Sequence, residues 1–150
     1  MQFSDTSILI IISSLIFISG CDTGPKSAKG FSLPEGDATQ GEQTFVELKC
    51  HACHTVSDVK LPEVESELSI GLGGKVARIK TYGELVTSII NPSHRLAKGY
   101  PSAEIESDGQ SKMKNYNEAM TVDQLINLVA FLQAHYELEE YTPTYYPVIP

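Results

Sequence analysis

The segment Cys50-His51-Ala52-Cys53-His54 constrains this chain more than any other stretch of it. Two thiols lie three residues apart, and an imidazole follows the second without a gap. Each C-x-x-C chemistry makes its own demand on the surrounding sequence. A redox dithiol of the thioredoxin kind expects βαβ surroundings, and the flanks show none. Half of a zinc site expects a second Cys or His pair at metal spacing, whereas His94 and His135 stand alone. A structural disulfide across so tight a loop leaves His54 without a role.

The same five residues, C-x-x-C-H, form the attachment sequence of a c-type haem. Both thiols reach the two vinyl groups on one haem edge, and the following His supplies a proximal nitrogen to iron. Each thioether is covalent, so even a small domain keeps its cofactor. The cysteine count agrees with this reading. The chain has three Cys, and an odd thiol in an exported protein needs an explanation. Haem takes Cys50 and Cys53, and Cys21 remains.

Cys21 follows an apolar run, Ile8 to Ile18, of signal-peptide length and well short of the roughly 20 residues that span a bilayer. The segment before it, Met1 to Asp5, lacks the usual Lys or Arg. Ile18-Ser19-Gly20-Cys21 resembles the lipobox of bacterial lipoproteins. That resemblance implies cleavage of residues 1–20, lipid on Cys21, and a chain anchored on the periplasmic side of a bacterial membrane. Asp22 resembles the signal that retains such proteins at the inner membrane in some bacteria. Residues 21–39 mix Gly, Pro, Ser and charge, and read as a flexible tether.

Two methionines follow His54. Thr121-Val122-Asp123-Gln124 reads as a capping box, which puts Met120 and Leu125 at the positions of a hydrophobic staple. Met113 lies in a polar loop, Gly109 to Asn115, with no periodic apolar pattern. It is the candidate sixth ligand, since a Met sulfur there raises the reduction potential of an electron-transfer haem. Met113-Lys114-Asn115-Tyr116, followed by Met120-Thr121 and a terminal helix, resembles the Met-Pro-x-Phe segment of class I c-type cytochromes. Lys114 stands where that family usually has Pro.

The resemblance covers residues 40–136 and implies an all-α fold, a small cytochrome c fold of three to five helices around one haem c. Gly41 to Lys49 reads as a short helix entering the motif, with Phe45 and Leu48 on one face. Thr121 to Tyr136 reads as a longer one, with Leu125, Leu128, Val129, Leu132 and Tyr136 at helical spacing. In class I cytochromes the first and last helices cross, and Gly41 with Phe45 resembles that contact. Thr81-Tyr82-Gly83-Glu84 is a second capping box, opening a helix that stops at Asn91-Pro92. The family also implies that a backbone carbonyl near a proline, here Leu61-Pro62, accepts the Nδ1 proton of His54. Gly71-Leu72-Gly73-Gly74 offers a loop for close backbone approach to the ring. Arg78, Tyr82, Arg95 and Tyr100 are candidate propionate partners, while His94 and His135 read as solvated. No sustained alternation marks a strand. Residues 137–150, rich in Pro and Tyr, read as an extended tail.

Nineteen Asp and Glu against eleven Lys and Arg give a formal charge of -8, which disfavours nucleic acid. The balance suits redox partners with basic docking faces. With His54 and Met113 both on iron, no small-molecule substrate reaches the metal. The expectation is a single-electron carrier, not an enzyme, tethered to the membrane through its lipid. Its alternatives are an electron-transfer subunit of a periplasmic sulfite or nitrogen-oxide oxidoreductase and a haem-based gas sensor.

Overall fold

Asp37 starts the first helix of the computed structural model, which describes residues 31–142. The cleavage segment 1–20, Cys21, most of the tether and residues 143–150 lie outside the described residues. The Asp37 carboxylate accepts from the Thr39 and Gln40 amides at 2.8 and 3.1 Å and caps α1 (Ala38–Glu47). These backbone donors satisfy groups the helix leaves unpaired and hold the Asp37 carboxyl below its usual pKa. The helix therefore begins three residues before Gly41. Its sequence signal is Asp37-x-x-Gln40, a capping pattern whose Gln40 amide reaches back to Asp37 at 3.2 Å.

Both expected capping boxes form. Thr81 and Glu84 open α2 (Tyr82–Ile90), and Thr121 and Gln124 open α4 (Val122–Ala134). Between them lies a single turn, α3 (Ser102–Ile105). The core forms where α1 meets α4. Phe45 and Phe131 are each 2% exposed and Val129 is sealed, with the two rings 5.6 Å apart and tilted by 59°. Burying a side chain of this size contributes about 1.5–3 kcal/mol. The buried face of α4 is Ile126, Leu128, Val129, Phe131 and Leu132. Leu125 is only half-buried, and Tyr136 lies beyond the helix.

Gly41 is the closest approach of the two helices. A Cβ there would stand 2.0 Å from the Asn127 carbonyl oxygen and 2.6 Å from the Phe131 Cβ. The expected crossing, with Gly41 and Phe45 at the contact, is present. Asn127 also accepts the Asp37 amide at 2.8 Å, so the cap of α1 is fastened to the middle of α4.

The all-α expectation needs correction, because four helices are joined by six short strands among the described residues. Strand β1 (His54–Val56) pairs parallel with β2 (Ile70–Leu72), and β3 (Gly74–Val76) pairs parallel with β6 (Tyr136–Leu138). Strand β4 (Glu106–Ser107) pairs antiparallel with β5 (Gln110–Ser111). Each is two or three residues long, too short to show the alternation by which a strand is read. They exist because loop backbone must find hydrogen-bond partners when it packs against helices. Strands β4 and β5 are joined by Asp108-Gly109, with both φ positive at 51° and 74°, the two-residue turn that Asp-Gly favours in hairpins.

Candidate functional site

Helix α1 delivers the cysteine segment through a sharp reversal. Lys49 takes a left-handed conformation, φ 57° and ψ 30°, and begins a 3-10 turn over Cys50–Ala52. The turn is closed by Ala52 N–H to Lys49 carbonyl at 3.0 Å and Cys53 N–H to Cys50 carbonyl at 3.2 Å. A 3-10 helix has three residues per turn, so side chains three apart eclipse one another. That winding turns C-x-x-C into two thiols facing one side. The chain then extends into β1, where the Ile70 amide donates to the Cys53 carbonyl at 2.8 Å and pins His54 at the strand start.

Cys50, Cys53, His54 and Met113 line a single cleft of about 1190 Å³. A smaller cavity of about 80 Å³ shares Cys50, His54 and Met113 and extends into the core at Phe45, Leu85 and Leu128. The cleft exceeds the 300–1,000 Å³ typical of small-ligand sites, so it has room for a large planar group. Its inner end is apolar, and its mouth carries charge.

The surroundings of Cys50 and His54 favour their neutral forms. Burial pushes the Cys50 thiol up to about 11, so it is protonated at neutral pH. An attacking thiol of a redox dithiol needs the opposite shift. No three His, Cys, Asp or Glu side chains converge as a metal site among the described residues. Burial, reinforced by the Lys80 ammonium, holds His54 below its ordinary pKa, against a smaller opposing effect of the Ile70 backbone. A neutral imidazole keeps a lone pair for a metal. Its Nδ1 is sealed from solvent and has no hydrogen-bond partner, as is the Nδ1 of His51. The backbone beside His54 is Ile70, across the β1–β2 pair, in place of the Leu61-Pro62 carbonyl that the family resemblance implied.

The structure separates the two methionines. Met113 lines both spaces, whereas Met120 lines only the inner cavity, just ahead of the Thr121 cap. A chain of loop contacts places Met113. Its amide donates to Ser111 Oγ at 3.1 Å, the Ser111 amide donates to Ser93 Oγ at 3.0 Å, and the Lys112 amide donates to the Ile105 carbonyl at 2.8 Å. Tyr116 then donates its hydroxyl to the Leu48 carbonyl, joining the methionine loop to the last turn before Cys50. Nothing local in the sequence announces that link, whose partners are 68 positions apart.

Of the candidate propionate partners, Arg78 and Arg95 line the cleft and converge on one carboxylate. Arg78 grips Glu84 with both guanidinium nitrogens at 2.7 and 2.8 Å, and Arg95 approaches it at 3.5 Å. Tyr100 instead accepts the Gly71 amide at 3.2 Å, and Tyr82 has a buried hydroxyl without a partner away from the cleft. His94 is exposed at the rim, with Nδ1 2.8 Å from the Asn91 carbonyl oxygen. His135 is not solvated as expected: it is half-buried, its ring lies edge-on to Phe131 at 5.0 Å, and its carbonyl accepts the Gly74 amide at 2.7 Å. Gly73, at φ 78°, is crowded by that same His135 backbone, so the glycine pair serves the β3–β6 junction. Lys80, half-buried in the wall of both spaces, has no motif that foretells it.

No protein-family model matches the chain, and comparison with curated proteins and with solved structures finds no match.

Proposed function

We propose that this chain is a single-electron carrier holding one covalent c-type haem in the Cys50–Met113 cleft, on a small cytochrome c fold. The observation that carries the reading is the convergence of four side chains on one cleft. Cys50, Cys53 and His54 share a motif, but Met113 arrives from a separate loop through its own set of hydrogen bonds. Two thiols, a neutral imidazole and a thioether against apolar walls match what such a haem takes from a protein.

When bound, the group supplies a one-electron couple. Cys50 and Cys53 would hold it by thioether bonds, and His54 and Met113 would ligate its iron. The apolar inner wall of Phe45, Leu48, Leu85 and Leu128 excludes water, which favours the less charged state of the site. Arg78 and Arg95, held by Glu84, offer donors to carboxylates at the mouth. His54 and Met113, both committed to the iron, would leave no protein-free donor site for a substrate, and the chemistry supplied would be outer-sphere electron transfer. Lipid on Cys21 would tether the domain at the periplasmic face of a membrane, keeping it at high local concentration near its partners.

Intact mass of the exported protein tests the reading directly. The expected mass includes one haem, and the pigment stays with the polypeptide in acidified acetone. Pigment that washes out, or a chain without the added mass, would refute it. Cys21→Ser should move the protein from membranes to the soluble fraction, and persistent membrane association would overturn the lipid anchor.

A further inference from the structure

The charge of this chain is unevenly placed. Between residues 31 and 142 there are nine Lys and Arg and seventeen Asp and Glu. Seven of the nine cations line the cleft, against three of the seventeen acids. Arg78 and Arg95 meet on Glu84, Lys80 and Lys98 also line the cleft, and Lys49, Lys112 and Lys114 come from the cysteine turn and the methionine loop. Only Lys60 and Lys75 are left for the remaining surface, which carries fourteen acids. Glu84 is the sole carboxylate among the described residues that forms salt bridges. The exposed Lys49, Lys98, Lys112 and Lys114 thus keep their charge unneutralised by any ion pair there.

We infer that the mouth of this cleft is the docking face for a protein partner with an acidic surface. The inference rests on the cleft being where electrons enter and leave. Net charge alone points to a basic partner, but docking responds to the local field, and a cleft focuses that field. The cations here would attract an acidic face from several ångströms away, while the acidic remainder would repel the same face elsewhere, so orientation is selected before contact. A lipid surface suits the same cations less well. None of the exposed large apolar side chains lines the cleft to anchor a bilayer, and the acid-rich remainder repels an anionic one.

Two small oxidants of opposite charge test this on the reduced holoprotein. One electron passes from the protein to hexacyanoferrate(III), giving hexacyanoferrate(II), with no bond made and no proton moved. A positive docking face makes this rate fall about tenfold as ionic strength rises from roughly 10 to 200 mM. The cationic tris(phenanthroline)cobalt(III) should show the opposite slope. Lys98→Glu with Lys114→Glu should flatten or invert both. A rate with the anion that rises with salt, as the overall charge demands, would overturn the inference. A second readout needs no electron transfer: calorimetric binding of poly-L-glutamate, expected for the wild-type chain and lost in the charge-reversed pair. Poly-glutamate binding by a chain that lacks covalent haem would sustain the docking face while refuting the electron carrier. Failure to bind, with haem in place, would refute the docking face alone. Binding to phosphatidylglycerol vesicles that depends on Lys98 and Lys114, without matching poly-glutamate binding, would overturn the protein partner in favour of a lipid surface.

Discussion

Replacing Gly41 with Ala sets two effects of opposite sign against each other. Helix propensity favours Ala over Gly by about 0.8–1 kcal/mol in a helix interior, so an isolated α1 gains from the change. The tertiary contact opposes it. The added Cβ would lie 2.0 Å from the Asn127 oxygen, 2.6 Å from the Asn127 carbonyl carbon and 2.6 Å from the Phe131 Cβ. All three atoms belong to the α4 backbone or its first side-chain atom, so no rotamer change clears them. Helix α1 must back away by on the order of 1 Å, an overpacking that costs about 3 kcal/mol at the upper end of the usual range. The same shift stretches the Asp37–Asn127 bond and loosens Phe45 against Phe131. The expected net effect is a loss of about 2 kcal/mol, read in urea as a lower midpoint at unchanged slope. Gly83→Ala is the matched control. It lies in α2 with nothing within 4 Å of its Cβ, and should be neutral to stabilising by up to about 1 kcal/mol. Equal midpoints for the two variants, or a Gly41→Ala protein as stable as wild type, would refute the steric account of the crossing.

Other expectations follow from single contacts. With the proposed haem in place, Met113→Ala should abolish a weak sulfur-to-iron absorption of the oxidised protein and Met120→Ala should retain it; the reverse pattern would exchange their roles. Asp37→Ala removes the α1 cap and should lower the urea midpoint, whereas an unchanged midpoint would mean the cap is dispensable. The Arg78 guanidinium and the Thr81 amide hold the Glu84 carboxyl far below its ordinary value of 4.5. Its stabilising contribution is therefore complete above that value and fades as pH falls through the lower folded-state pKa. The melting temperature should drop more steeply in acid for wild type than for Glu84→Gln. Parallel curves would show that the pair contributes nothing to pH dependence.

Local chemistry was legible from residue types alone. A capping box involves four consecutive residues, so Thr81–Glu84 and Thr121–Gln124 announced two helix starts without knowledge of the rest of the chain. Cys50, Cys53 and His54 are likewise one local unit, and the 3-10 turn that aligns the thiols spans only their own segment. Met113 was reached partly by elimination, because Met120 had a structural place beside a cap. The short strands escaped because pairing over two or three residues has no period, and the partners of β3 lie some 60 positions away. His135 escaped for the same reason, since only packing against Phe131 distinguishes it from a solvated ring.

What the amino-acid order settled, then, is whatever a few neighbouring residues decide through their own backbone and side-chain bonds: two helix starts and the paired thiols. Tertiary structure alone decided which distant side chains share the cleft, and where charge lies. A net charge of -8 is a sum over the sequence and carries no positions. Folding turned it into a cation-lined mouth on an acidic body, because long-range proximity depends on how helices pack, not on the order of residues along any one of them.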